Sequence, residues 1–211
     1  MPRTITYAYP GLWASAGLNE HGLGLVWTGS GYRPKVKPVV GVPTYALIAG
    51  ILACRDCREA FTLLDRTPRA GSFIFFIADA KNEVWVIEGL PDRIEKVRCT
   101  GVVSRANHYE CGRMCAAAKQ VLPPARPGAN SRARGERMAE LTAKYNGRID
   151  AQAVEKMLTD HGRGPGLNIC VHPQGARRGM TLDSFYVLPA RREFHISRGL
   201  PCRHAYAKYK V

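Results

Sequence analysis

An apolar hairpin near the middle of the chain places the strongest constraint on the fold. Residues 73–79 are apolar at nearly every position, residues 83–88 form a second extended stretch, and Ala80, Lys81 and Asn82 between them form a polar turn. A strand of this kind must be buried on both faces, because water on either side would contact apolar side chains. We therefore expect residues 73–79 to be a central strand of a sandwich.

Alternating and apolar stretches on both sides of the hairpin predict further strands, and apolar residues at three- and four-residue spacing predict helices. The other predicted strands are residues 4–9, 12–17, 23–28, 93–99, 101–106, 168–172, 180–188 and 193–197. The predicted helices are residues 45–64 (one amphipathic helix or a bent pair), 111–121, 131–146 and 150–161, with Asp150 as an N-terminal cap. This mixture of strands and helices predicts the α+β class.

The segment VVSRANHY, residues 102–109, is the first candidate for a functional site. An apolar run that ends in Asn-His predicts a buried strand that delivers Asn107 and His108 to its end, where catalytic groups often lie. The Asn107 amide can donate a hydrogen bond to an oxygen that becomes negative during attack on a carbonyl. The alternative is an Asn-His turn without chemistry, because asparagine is common in turns.

The charge of the chain raises nucleic acid as a partner but does not support it as the main one. The 211 residues include 31 Lys and Arg against 17 Asp and Glu, a formal charge of +14. The basic residues are spread along the chain, and they are not interleaved with aromatic residues as in known nucleic-acid readers. With 45% hydrophobic residues, the chain is long enough for one sizeable core, and we expect a single domain over residues 1–211.

Seven cysteines are an odd number in a chain too long to depend on disulfides, so we expect mostly free thiols. Cys54 and Cys57 have the C-x2-C spacing of a zinc site, which Cys111 and Cys115 could complete. Because the first pair lies within a helical pattern and not on a turn, we expect no metal and no other cofactor. The N-terminus has no signal-peptide pattern and no apolar run is long enough to span a membrane, which predicts a soluble, cytoplasmic chain.

Seven stretches, taken together and in this order, resemble one known family. They are YPGLWASAGLNEHGLGLVWTGSGY, GVPTYALIAGILACRDCREAFTLL, AGSFIFFIADAKNEVWVIEG, SRANHY, LNICVHP, RRGMTLDSFYVL and ISRGLPC. They resemble the penicillin acyltransferase type of cysteine peptidase, the acyl-CoA:isopenicillin N acyltransferase-like family of N-terminal-nucleophile (Ntn) hydrolases. The resemblance implies a four-layer αββα sandwich with mostly antiparallel sheets. It also implies an enzyme that cleaves or transfers amide-linked acyl groups, with a small-molecule amide or acyl substrate as its partner.

The resemblance also assigns roles to individual residues. Asn107 matches the asparagine of the family's Thr-Asn-His motif, with Ala106 where threonine is usual, and would be the oxyanion donor. His108 matches the histidine of that motif and would orient the turn. Arg178 matches an arginine near the family's active site that could hold a substrate carboxylate, and Ser72 resembles a serine close to that site. The alternatives are a surface arginine and a serine that starts a strand.

The chain departs from the family at the nucleophile. The family's catalytic cysteine follows a glycine and becomes a chain N-terminus by self-cleavage, but here residue 1 is Met and no Gly-Cys pair occurs. We therefore expect a chain truncated at its N-terminus, without the family's first strands and inactive by itself. A catalytically dead binding or scaffold domain and a basic nucleic-acid-associated protein remain as alternatives, and a homo-oligomer remains open.

Overall fold

The strands of the chain form two antiparallel sheets. A computed structural model describes residues 1–12, 14–30, 39–118, 131–145, 147–162, 164, 168–173 and 179–211. The first sheet has the order β1-β2-β3-β4-β5-β6 and the second has the order β7-β8-β9. The strands of the first sheet are Thr4–Tyr7, Ala16–Asn19, Gly24–Thr28, Phe73–Ala78, Val84–Leu90 and Arg93–Arg98. Those of the second sheet are Asp183–Leu188, Glu193–Arg198 and Ala207–Lys210.

The central hairpin predicted from the sequence is confirmed as β4 and β5. Phe75 pairs with Ile87 and Ile77 with Trp85, and β4 has β3 on its other side. Alternate side chains of β4 enter two different cores: Phe75 belongs to one apolar cluster, and Ile74 belongs to the cluster on the opposite face. The strand is therefore covered on both sides, as its continuous apolar sequence requires.

Five α-helices and one 3-10 helix are present in the described ranges. They are α1 at Thr44–Ile51, α2 at Cys57–Arg66, α3 at Gly112–Ala118, α4 at Ser131–Lys144, α5 at Ala151–Leu158 and the 3-10 helix at Pro189–Arg191. The predicted bent pair is confirmed as α1 and α2. The Asp150 cap is also confirmed, since its carboxylate accepts a hydrogen bond of 2.8 Å from the Ala153 backbone N–H. None of these helices is both long and apolar enough to cross a lipid bilayer.

The elements stack in four layers. Helices α1 and α2 cover one face of the six-stranded sheet through a core that includes Leu47 and Leu64. On the opposite face, Leu18 of β2 packs in one cluster with Phe194 and Ile196 of β8, so the two sheets face each other. On the outer side of the second sheet, Tyr186 donates a hydrogen bond of 2.8 Å to Glu155 of α5. This helix, sheet, sheet, helix order confirms the predicted αββα sandwich with antiparallel sheets.

Two predicted strands are wrong and one strand was missed. Residues 101–106 form no strand, and Val102 is exposed. This segment is held by side-chain contacts, such as that of Arg105 with Glu88, and not by backbone pairing with a neighbouring strand. Residues 168–172 also form no strand: the Cys170 N–H donates to the Asp160 carbonyl, and the Val171 N–H donates to the Thr181 hydroxyl. Strand β9 was missed because its Ala-Lys-Tyr-Lys alternation covers only four residues, all of them exposed, which is too short a pattern to indicate a strand with a buried face.

The alternative zinc site on four cysteines is also wrong. Cys54 and Cys57 belong to the core beneath α1 and α2. Cys111 and Cys115 pack against the cluster on the opposite face of the six-stranded sheet. The sheet separates the two pairs, so the four sulfur atoms cannot share one metal ion.

Candidate active site

A buried carboxylate anchors the segment that carries Asn107. Glu88 lies on β5 and is fully buried. Its carboxylate accepts hydrogen bonds of 3.1 Å from Arg105 Nε and from the backbone N–H groups of Glu110 and Cys111. Next to it, the Tyr109 hydroxyl donates to the Gly89 carbonyl at 2.6 Å. These bonds fix the backbone on both sides of Asn107 and His108.

The Asn107 amide is held by two contacts at the end of β3 and one contact from α4. Its Nδ2 donates to the Thr28 hydroxyl at 2.6 Å and to the Gly29 carbonyl at 3.0 Å. Its Oδ1 accepts from Arg134 Nη2 of α4 at 2.5 Å. Both hydrogens of the amide therefore have protein acceptors. A substrate oxyanion at this site would replace one of those acceptors and receive the hydrogen bond in its place.

Ser72 lies at the same end of the sheet as Asn107. Its hydroxyl accepts a hydrogen bond of 3.1 Å from Ser30, the residue that follows Gly29. Because β3 and β4 are antiparallel, with Thr28 opposite Ile74, the end of β3 lies beside the start of β4. The structure thus brings Asn107 and Ser72 to neighbouring residues of one short segment, 28–30.

His108 joins this segment to the start of α4. The side chain is buried, and its Nδ1 lies 2.7 Å from the Ser131 hydroxyl. Its Nε2 is 3.9 Å from the nearest Glu110 carboxylate oxygen, which is too far for a hydrogen bond. Burial lowers the pKa of His108, only partly opposed by the Glu110 charge, and so favours the neutral imidazole. These contacts suit a histidine that orients the turn.

The lowered pKa of His108 predicts acid sensitivity. A group with a folded pKa below its unfolded value of about 6.5 contributes stability above that value, and the contribution is lost as the pH falls. We expect the loss of unfolding free energy between about pH 7 and about pH 5 to be smaller in His108→Gln than in the unaltered chain. Urea denaturation at both pH values measures the unfolding free energy, and the variant His21→Gln, which changes an exposed histidine, is the control. Equal pH dependence of the two variants would contradict the assignment.

Sequence reasoning missed Arg134 and Glu88. Arg134 lies in α4, a helix with several basic residues, yet burial lowers the pKa of its guanidinium. The sequence offered one local signal, which is that the small residues Ala133 and Gly135 flank Arg134. In the structure, a Cβ at Gly135 would lie 3.5 Å from the His108 ring. Arg178, the other residue of the predicted site, lies outside the described residues.

Comparisons with known proteins agree with this fold. The conjugated bile acid hydrolase from Clostridium perfringens matches in two variant crystal structures with a TM-score of 0.59, at 13% and 14% identity, covering 94% of this chain and 77% of theirs. Penicillin V acylase from Agrobacterium tumefaciens matches with a TM-score of 0.51 at 14% identity, covering 89% of this chain and 63% of that one. At these identities the likeness concerns the fold. No curated protein sequence matches at a significant level.

The family is established by a sequence profile. The profile of the acyl-coenzyme A:6-aminopenicillanic acid acyl-transferase family matches residues 4–201, which is nearly the whole chain. The similar structures are those of a conjugated bile acid hydrolase and a penicillin V acylase, and their fold agrees with this match. The chain therefore belongs to the acyl-coenzyme A:6-aminopenicillanic acid acyl-transferase family of Ntn-type acyltransferases and amidohydrolases.

Proposed function

We propose that this chain provides the oxyanion-stabilising and substrate-binding framework of an enzyme that hydrolyses or transfers an amide-linked acyl group of a small molecule. The observation that carries the proposal is the Asn107 amide, whose orientation is fixed from three sides by Thr28, Gly29 and Arg134. Arg134 and one of the two acceptors keep the amide in this orientation while the substrate oxygen replaces the other acceptor, so the side chain does not have to turn as negative charge develops on that oxygen.

Asn107 and the residues around it have different roles in the proposed reaction. When a nucleophile attacks the acyl carbonyl, the carbonyl oxygen becomes negative and accepts a hydrogen bond from Asn107 Nδ2. Neutral His108 holds the segment that carries Asn107 against the start of α4 through Ser131. Ser72 lies beside the two acceptors of the Asn107 amide, through its hydrogen bond with Ser30. We assign to Arg178 the binding of a substrate carboxylate, because a guanidinium makes paired, charge-assisted hydrogen bonds to such a group.

The attacking group in an Ntn enzyme is the first residue of a processed chain, whose free α-amine serves as the base. Residue 1 of the 211 is Met, whose thioether cannot act as such a nucleophile, and the sequence has no Gly-Cys pair at which processing could expose a cysteine. We therefore expect a polypeptide limited to these 211 residues to show no turnover of acyl amides. Intact-mass measurement should find a single unprocessed species, with or without Met1. Two self-generated fragments on storage would contradict this expectation.

The in-frame codons before Met1 in the gene test the proposed function. If they encode a Gly-Cys pair, the longer chain should cleave itself there and release acid and amine from an acyl amide. A panel of penicillin V, a conjugated bile acid and 6-aminopenicillanic acid with an acyl-coenzyme A covers the chemistry of the family and its structural neighbours. A stop codon directly before Met1 would instead favour the binding or scaffold role.

A further inference from the structure

Two histidines and two cysteines meet in a cluster that the candidate active site does not use. They are His161, Cys170, His172 and Cys202, and the nearest ligand atoms of all four lie within 4.8 Å of one another. Cys170 is buried, while His161 and Cys202 are exposed. The cluster thus lies close to the surface, with one ligand reaching into the protein.

The distances within the cluster fit a tetrahedral metal site. The two histidine Nε2 atoms are 3.1 Å apart, and the two cysteine Sγ atoms are 3.7 Å apart. The Nε2 of His172 lies 3.2 Å from Cys202 Sγ and 3.8 Å from Cys170 Sγ. Zinc bonds of about 2.3 Å to sulfur and about 2.0–2.1 Å to nitrogen give tetrahedral edges of about 3.3–3.8 Å. An ion between the four atoms would therefore be within bonding distance of all of them after only small shifts.

Three separate parts of the chain contribute these ligands. His161 follows the C-terminal end of α5, Cys170 and His172 belong to the loop before β7, and Cys202 lies in the turn after β8. The loop has support of its own. The Asn168 amide donates to the Cys170 carbonyl at 2.7 Å, and the Cys170 N–H donates to the Asp160 carbonyl at 3.1 Å. Such bonds hold ligands in place as a metal site requires.

We propose that His161, Cys170, His172 and Cys202 bind one zinc ion that joins the end of α5 and the loop after it to the sheet of β7 and β8. Thiolate and imidazole ligands favour zinc over magnesium or calcium, which prefer oxygen. Four protein ligands fill a tetrahedral shell and leave no position for water or substrate, so the ion is structural. This revises the expectation from the sequence that the chain binds no metal.

Sequence spacing could not reveal this site. Cys170 and His172 form a C-x-H pair, but Cys202 comes 30 residues later and His161 lies on the far side of the loop. Zinc motifs are usually recognised by two short pairs of ligands, such as the C-x2-C of Cys54 and Cys57, which points to the wrong place. Only the packing of α5 beside the second sheet brings the four side chains together.

Metal analysis of the purified chain tests the proposal. After purification under reducing conditions with zinc present and exhaustive dialysis, we expect about one zinc ion per chain. The double variant Cys170→Ser/Cys202→Ser should retain almost none, whereas Cys99→Ser, which alters a cysteine outside the cluster, should retain the full amount. Less than a tenth of an equivalent in the unaltered chain, or full occupancy of the double variant, would overturn the proposal.

Cobalt substitution keeps the test decisive if the double variant does not fold. Titration of the unaltered, zinc-depleted chain with Co²⁺ should produce thiolate-to-metal charge-transfer absorption and the strong visible bands of tetrahedral cobalt, saturating at one equivalent. The competing chemistry for this pair is a disulfide, since Cys170 and Cys202 are adjacent. Weak octahedral cobalt bands, or a Cys170–Cys202 disulfide that forms in the zinc-loaded chain in air, would overturn the zinc site.

Hydrogen exchange tests the structural role independently of turnover. Removing the ion with a chelator should accelerate exchange at the C-terminal end of α5, in residues 168–172 and in the turn after β8. The hairpin of β4 and β5 lies in the other sheet and should not change. Uniform acceleration through both sheets, or no change near the cluster, would contradict the proposed role. Because none of these measurements uses substrate, failure of the zinc site and failure of the proposed enzyme activity are distinguishable.

Discussion

Replacing Glu88 with alanine is expected to lower the free energy of unfolding by about 3–5 kcal/mol, the usual cost of removing one partner from a buried ion pair. The substitution leaves the Arg105 guanidinium, only 11% exposed, without its buried partner and with the more exposed Glu110 carboxylate, at 3.0 Å, as its remaining ion pair. It also leaves the N–H groups of Glu110 and Cys111 without their acceptor. Urea denaturation followed by circular dichroism measures the change.

Glu95 provides a matched control for this experiment. It lies opposite Glu88 on the neighbouring strand β6, but its side chain is partly exposed and 3.8 Å from the exposed Arg113. Glu95→Ala should change the unfolding free energy by no more than about 0.5 kcal/mol. Glu88→Gln should fall between the two, because its amide oxygen still accepts hydrogen bonds but carries no charge. Equal stability of the two alanine variants would show that Glu88 does not anchor the segment.

In an active form of the enzyme, Asn107→Ala is expected to lower turnover by about 10²- to 10³-fold, the usual loss for one oxyanion donor. The reason is chemical: alanine has no N–H to offer to the carbonyl oxygen as it becomes negative. Asn107→Asp retains the size of the side chain but places a negative acceptor there, and should be as damaging as alanine. Initial rates of amine release at saturating substrate measure both effects.

A variant of Arg134 separates chemistry from positioning. Arg134 contacts the Oδ1 of Asn107 and not its N–H group. Arg134→Met should therefore disturb the orientation of the amide while retaining the donor, and lower turnover less than Asn107→Ala. An active Asn107→Asp enzyme would rule out Asn107 as the oxyanion donor. If Arg178 binds a substrate carboxylate, its replacement should raise KM more than it lowers kcat.

Much of the fold follows from local sequence patterns. The continuous apolar stretch around Phe75 specifies a strand covered on both faces, and the turn at Ala80 to Asn82 places its hairpin partner. Asp150 marks the start of α5 by capping the free N–H group of Ala153, three residues further along the chain. Each of these features depends on neighbours close along the chain, so sequence alone could predict it. The order of the motifs was likewise sufficient to identify the family.

Contacts between distant residues were decided by the tertiary structure. Asn107 was identified as a site residue from its motif, but its partners Thr28 and Gly29 lie 79 and 78 residues away. The supposed strand before it is in fact a segment anchored by Glu88, 17 residues from Arg105. The histidine and cysteine cluster likewise forms only when α5 packs beside the second sheet. A periodic pattern reports which face of an element is apolar, whereas the pairing of polar side chains depends on how the elements pack in three dimensions.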